Sequence, residues 1–298
     1  GGGGMELRVL WYFLTTAREG TSTHDANVLH ITQPTLPRQI RDLEDELGQK
    51  LFVRNSHSVS LTNEGMLLRK RAEEILELVQ KTEQEVSQPD YMLSGDVYIG
   101  AGETVGVHFL TRAARELRER YPDIHFHIVS GDGVEVCELL DKGLIDFGLL
   151  FDHVDQKKYN SVALPYQDTW GVLMRRDSPL AERESVRPED LAHQPLLVSR
   201  QVLKSPLLPE WFGEDRSAMN VIGTYTLAFN GSLMVEDGMG YALCLDRIIN
   251  VDGSALCFRP LEPKREAGMH IVWKKYQIFS RAAEKYLEKI EAIAAPHA

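Results

Sequence analysis

Cysteine is scarce. Cys137, Cys244 and Cys257 are the three in 298 residues, an odd number with no CxxC spacing. That excludes a disulfide framework and a zinc site and fits a reducing cytoplasm. No stretch reaches the roughly 18 uninterrupted apolar residues of a membrane span, so no membrane partner is expected. The opening GGGGMELR lacks the basic region and apolar core of a secretion signal, and Gly1–Gly4 read as an expression remnant before Met5. No GxSxG, HExxH, Walker A or GxGxxG run occurs in a strand–helix context, so an enzyme reading has no positive motif and no cofactor is expected. The ten histidines form no metal-ligand pattern. His125 and His127 share one face of an expected strand, but no third ligand is near them in sequence, so no metal is expected. The net charge of −11 argues against a chain coated for nonspecific nucleic-acid binding.

Hydrophobic residues make up 43%, enough for well-buried cores, and the length suits two or three domains. Charge is unevenly spread. Residues 1–72 hold nine Lys/Arg and eight Asp/Glu, so the acidity lies in the rest of the chain. The most organised stretch is TQPTLPRQIRDLEDELGQKLFVR, from Thr32 to Arg54. Leu36, Ile40, Leu43 and Leu47 make one apolar helical stripe. Thr32 suits an N-cap, Pro34 the first turn and Gly48 the C-terminus. The opposite face carries Gln33, Thr35, Arg38, Gln39 and Asp42. It reads either as a solvated surface or as a base-reading face, since Gln and Arg bond bidentately to adenine and guanine edges in the major groove. A shorter helix, Thr23 to His30, precedes it across a brief break, and LFVRNSHSVSLT follows as two short strands around a turn.

These segments resemble the LysR-type transcriptional regulators. The resemblance is close from Met5 to about Val86: a first helix LRVLWYFLTTAREG, then TQPTLPRQIRDLEDELGQKLF, then LTNEG, in the family's order and spacing. It implies an N-terminal, mainly α winged helix-turn-helix over 5–62. In the first helix Leu7, Leu10, Trp11, Leu14 and Ala17 set the apolar period. The sequence departs from the family at Asp25, Ser22 and Val28, and most at Pro37, where a small hydroxyl residue is usual beside the arginine matched by Arg38. Proline removes an N–H and presses on the carbonyl four residues back. Gln33, Thr35 and Arg38 are the expected base contacts. Thr32, Arg41 and Arg54 are expected at phosphates, with Pro34 and Pro37 shaping the reading end.

A long helix follows from Thr62 to about Gln88. Leu68, Ala72, Ile75, Val79, Thr82 and Val86 recur at steps of four and three, the seam of a short coiled coil, so 63–89 reads as a dimerising linker. The other reading of this helix is one packed on its own domain. From Gly95 strands and helices alternate, implying parallel βαβ units. SVALPY and WGVLMRR read as two strands. The resemblance, looser here, rests on SGDVYIG, KGLIDFGLL and VEDGMGYAL. It implies a C-terminal two-lobe α/β domain of periplasmic-binding-protein type over 94–298, with lobe I at about 94–162 plus 266–298 and lobe II at about 163–265. The fold class is therefore α/β overall.

Ligands of open parallel sheets bind beyond the carboxyl ends of the strands. Those ends supply Gly102, Glu103, Thr104, Ser130, Gly131, Asp132, Phe151, Ser199, Arg200, Gln201 and Thr226 as candidate effector contacts. The Gly102–Thr104 loop opens a helix and has free N–H groups and a hydroxyl for a carboxylate, while Thr104 equally reads as an N-cap. Arg200 reads as a partner for an anion or as a surface ion pair. Glu103 and Asp132, if both face the cleft, favour an amine or a zwitterion. The expected function is a cytoplasmic regulator that binds an inverted repeat of double-stranded DNA as a homodimer or homotetramer and responds to a small-molecule effector between its lobes, with RNA polymerase as a further partner. The alternative is a small-molecule-binding or protein-interaction module whose DNA-reading head has decayed; Asp25, Pro37 and the thinly charged wing are its evidence.

Overall fold

The computed structural model describes residues 5–19, 35–54, 59–87, 93–151 and 153–294. The chain divides into two compact units, Gly1–Gln88 and Pro89–Ala298. The expected helix at 23–30, with Asp25, and the residues Thr32, Gln33 and Pro34 lie outside the described residues.

The first unit runs α1 (Leu7–Glu19), α2 (Thr35–Leu47), β1 (Phe52–Arg54), β2 (Val59–Leu61) and α3 (Asn63–Val86). One small core joins them: Leu10, Tyr12 and Phe13 from α1, Ile40 and Leu43 from α2, Leu51 and Phe52, and Ala72 of α3. Two expectations fail here. Leu7 and Trp11 are exposed, because α1 packs against both α2 and α3 and so buries the sector around Tyr12, Phe13 and Thr16. Thr15 and Thr16 are tolerated inside because their hydroxyls donate to the Trp11 and Tyr12 carbonyls at 3.0 and 2.9 Å. Leu47 is likewise exposed, while Glu44 is buried at 4% exposure. The Glu44 carboxylate accepts the Leu51 N–H at 2.7 Å and so fixes the end of α2 to the β1–β2 hairpin.

The LTNEG motif has a mechanical reading. Thr62 caps α3 by accepting from the Gly65 N–H at 3.0 Å, and its hydroxyl donates to the Lys50 carbonyl at 2.7 Å. Gly65 lets the Leu51 carbonyl come close: a Cβ there would stand 2.2 Å from that oxygen.

The second unit comprises β3 (Gly95–Ala101), α4 (Val107–Arg120), β4 (Ile124–Ser130), α5 (Gly133–Asp141), β5 (Phe147–Phe151), β6 (Tyr159–Arg175), α6 (Pro188–Leu191), β7 (Pro195–Ser199), α7 (Arg200–Lys204), α8 (Leu207–Phe212), β8 (Asn220–Tyr225), α9 (Ala228–Glu236), β9 (Tyr241–Leu245), β10 (Leu256–Pro260), β11 (Glu266–Lys274) and α10 (Arg281–Ala294). The sheet order is β4-β3-β5-β11-β6-β9-β7-β8, with β10 also on β6. β4, β3 and β5 are parallel, as are β9, β7 and β8. β11, β6 and β10 run antiparallel to their neighbours, so the sheet is mixed rather than parallel throughout.

SVALPY and WGVLMRR are not two strands. They are one 17-residue strand, β6, which belongs to both lobes. Its pairing with β11 runs from Tyr159 to Thr169, past the expected division at 162/163, and its pairing with β9 begins at Trp170. The first lobe's core holds Val97, Ile99, Leu110, Phe147, Ile271 and Tyr286. The second lobe has a core on each side of its sheet, one around Val198, Trp211 and Phe212, the other around Leu197, Val235 and Ala242.

Candidate functional site

The head presents α2. Arg38, Arg41 and Asp42 are exposed on it. Gln39, expected on the outer face, is half-buried with its Oε1 enclosed. Thr35 and Pro37 lie in the helical backbone, so proline is accommodated within this helix. Arg54 ends β1, directly opposite Val59. Along α3, Ala72 is fully buried and Leu68 and Leu76 pack on the head core, whereas Leu67, Ile75, Leu78, Thr82 and Val86 are exposed and Val79 is half-buried. The expected seam is thus split: its first two members belong to the head, and the outward apolar sector is rotated toward Leu67 and Leu78.

The second site lies where the lobes meet. Gly102 and Gly131 follow the adjacent ends of β3 and β4, and the Gly131 N–H reaches the Ala101 carbonyl at 3.2 Å. Glu103 crosses to the other lobe, where its Oε1 accepts the Ala228 N–H at 2.6 Å, at the first residue of α9. The carboxylate there is stabilised by the helix dipole. Thr104 is neither a side-chain N-cap residue by position nor a free anion donor. Its hydroxyl donates to Asp168 Oδ2 and accepts the Gly106 N–H at 3.0 Å.

Asp168, on β6 at the crossing, was not anticipated. It is completely buried, and its Oδ1 has no hydrogen-bond partner among the described residues. Burial pushes its carboxyl above the usual range, against the pull of Thr104, Tyr166 and Arg247; Asp246 adds to the rise. Arg247 donates to the Tyr166 hydroxyl at 2.9 Å.

Other candidates take other roles. Asp132 caps α5 by accepting the Glu135 N–H at 2.9 Å. Ser199 caps α7, an unexpected short helix, by accepting the Val202 N–H at 3.1 Å. Arg200, Gln201, Ser130 and Thr226 are exposed, and Phe151 is half-buried opposite Met269. His127 bonds Asp96 at 2.6 Å and stacks on Tyr98. An open hollow of about 540 Å³ in the second lobe is lined by Thr169 and Asp246, next to the crossing, and by Arg176, Phe258 and Arg259. Both arginines there donate to backbone carbonyls, of Ser254 and Val251 and of Ala181 and Arg183, so the basic lining is partly structural.

A winged head followed by a two-lobe α/β unit narrows the kinship. Residues 7–66 match the bacterial regulatory helix-turn-helix domain of the lysR family, and residues 92–294 match the LysR substrate binding domain. The chain belongs to the LysR family. It is a DNA-binding transcriptional regulator with an effector-binding domain, and its relatives are regulators. YvbU of Bacillus subtilis (strain 168), an HTH-type transcriptional regulator, is 25% identical over 95% of this chain and 97% of that protein. The DNA-binding transcriptional dual regulator OxyR of Escherichia coli (strain K12) is 32% identical over 65% of this chain and 63% of its own length. The LysR family regulator CbnR shares the fold with a TM-score of 0.78 at 18% identity, covering 98% of this chain and 100% of that one. CbnR has also been solved on its target DNA. No helix among the described residues is long and apolar enough to cross a membrane.

Proposed function

We propose that this regulator binds an inverted-repeat operator as a homodimer or homotetramer in the cytoplasm, without enzymatic activity, and that a small effector between the lobes shifts its conformational population and its contact with RNA polymerase. The observation that carries the effector reading is the pair of bonds between the two halves of the sensor, Glu103 to Ala228 and Thr104 to Asp168. Glu103 and Thr104 follow the end of β3 and Ala228 follows the end of β8, where a ligand competes with these bonds directly, while Asp168 lies within β6 beside them. Dimerisation is supported by the exposed apolar sector of α3: a 24-residue helix gains stability by burying Leu67, Ile75, Leu78 and Val86 against a second copy. Two heads then address two half-sites. We assign 5–62 to the head, 63–89 to the linker and 94–298 to the sensor.

The test is binding to the intergenic DNA beside its own gene, titrated across salt. Preference over random DNA, weakening steeply with salt, supports the reading. Equal binding to random DNA at every salt instead favours a decayed head. Arg38→Ala is expected to cost about 1–3 kcal/mol of operator affinity and to relax preference at one base position. A uniform loss across sequences would make Arg38 a phosphate contact.

Thiol-based sensing is disfavoured by geometry. Cys244 and Cys257 face Gly171 and Met174 from opposite sides of β6. They stand two strand spacings apart across the sheet, about 10 Å, and are offset by three residues along it, beyond disulfide reach. Burial pushes the Cys244 thiol up to about 12 and raises Cys137 as well, so neither is a ready thiolate. Hydrogen peroxide at micromolar concentration is expected to leave the operator affinity of the reduced protein unchanged. A several-fold shift, reversed by dithiothreitol, would restore the thiol reading.

A further inference from the structure

We infer that Asp168 is the group with which the interlobe site reads its effector, and that the effector offers a cationic hydrogen-bond donor, an ammonium or guanidinium, to its Oδ1. This rests on the interlobe reading above and adds the chemistry of the ligand.

Two independent observations support it. The first is the carboxylate itself, wholly buried, with Oδ2 held by Thr104, the Tyr166 hydroxyl pulling on it from nearby, and Oδ1 without a hydrogen bond of normal geometry among the described residues. Buried polar atoms are nearly always satisfied, and an orphan in a native fold marks either strain or a missing partner. The nearby cation, Arg247, is engaged with the Tyr166 hydroxyl. The second is that the natural seat for an anion is taken. The N-terminus of α9 already holds the chain's own Glu103 carboxylate. An anionic effector would have to displace Glu103 from that helix or sit against Asp168 and Asp246. A cation at Asp168 meets two carboxylates, Asp168 and Asp246, against one arginine, Arg247.

The groups around Asp168 are Thr104 and Tyr166, with Arg247 favouring its charged form and Asp246 opposing it. Burial holds its proton above the usual carboxylate range. A cation binds the ionised form, so affinity should rise as pH rises through that raised value and level off beyond it.

The experiment uses the full chain, with melting temperature and calorimetric titration as readouts and agmatine, putrescine and succinate as probes at millimolar concentration. Agmatine or putrescine should raise the melting temperature, and succinate should not. Asp168→Asn keeps the shape and an oxygen for Thr104 but not the charge. It should weaken cation binding at least tenfold and abolish its pH dependence. Asp177→Asn makes the same charge change at the surface and should bind as the parent does. Without ligand, the D168N variant has no charge to bury at this position, so it should melt at or above the parent at pH 7, which separates lost binding from lost folding. The inference is overturned if succinate stabilises and the cations do not, if no probe shifts the melting temperature, or if D168N binds the cations as tightly as the parent. That last result would leave the interlobe sensor standing without Asp168. Operator binding is measured separately, so cation binding by a protein that ignores its operator would sink the regulator reading alone.

Discussion

Replacing Gly65 with alanine should destabilise the N-terminal unit by about 1–3 kcal/mol and weaken operator binding with it. The added methyl would stand 2.2 Å from the Leu51 carbonyl oxygen and 2.9 Å from a Leu61 methyl. The oxygen is backbone, and it also accepts the Thr62 N–H at 3.0 Å, so it is held in place. Alanine raises helix propensity by up to about 1 kcal/mol, which opposes the loss. The clash wins because relief requires either α3 to lift from the hairpin or the Thr62 cap to open. Urea denaturation followed by circular dichroism decides it. A G65A variant as stable as the parent would show that α3 shifts without cost and that the glycine is dispensable.

Phe147→Ala should cost the C-terminal unit about 3–5 kcal/mol. Phe147 is fully buried on β5, stacked on Phe279 at 5.1 Å between ring centroids and meeting Tyr286 edge-on at 5.5 Å. Those rings belong to the chain's last segment, which returns to cover the first lobe; α10 contributes Ala282, Ala283, Tyr286 and Ile290 to the same core. Tyr286 is anchored by donating its hydroxyl to the Leu110 carbonyl at 2.7 Å, so it cannot easily move into the void. The expected result is a lower denaturation midpoint for the sensor, with Phe147→Leu falling between variant and parent. A loss below about 1 kcal/mol would mean that the aromatic cluster repacks freely.

The head was legible because its signals are local. Ile40 and Leu43 betray a helical stripe three residues apart, and both are in the core. Leu47 misled because periodicity continues past the point where the core ends. Glu44 was missed because its partner, the Leu51 N–H, is a hairpin residue that no helical pattern mentions. In the sensor, strand-end reasoning found Gly102, Glu103 and Thr104 but could not say what they touch. Thr104 meets Asp168 from 64 residues away and Glu103 meets Ala228 from 125, distances at which spacing carries no information. Asp168 fell in the gap between the two expected strands and was not singled out. Its one local signal was a carboxylate three residues ahead of the buried run Gly171–Met174. The break placed between SVALPY and WGVLMRR falls at polar Gln167 and Asp168, which pair with Gly268 and Ala267 of β11 just past a register irregularity.

The continuity of β6 limits how the sensor can respond. β6 passes from one lobe to the other as one strand, paired first to β11, with one register irregularity between Ala163 and Gln167, and then to β9 and β10. Slipping it by one residue would turn every side chain to the opposite face, so one lobe cannot slide past the other. The freedom left is twist about the strand's own axis, and the register irregularity between Gly268 and His270 interrupts its pairing with β11. A change of angle between the lobes would therefore be taken up as torsion of this shared strand.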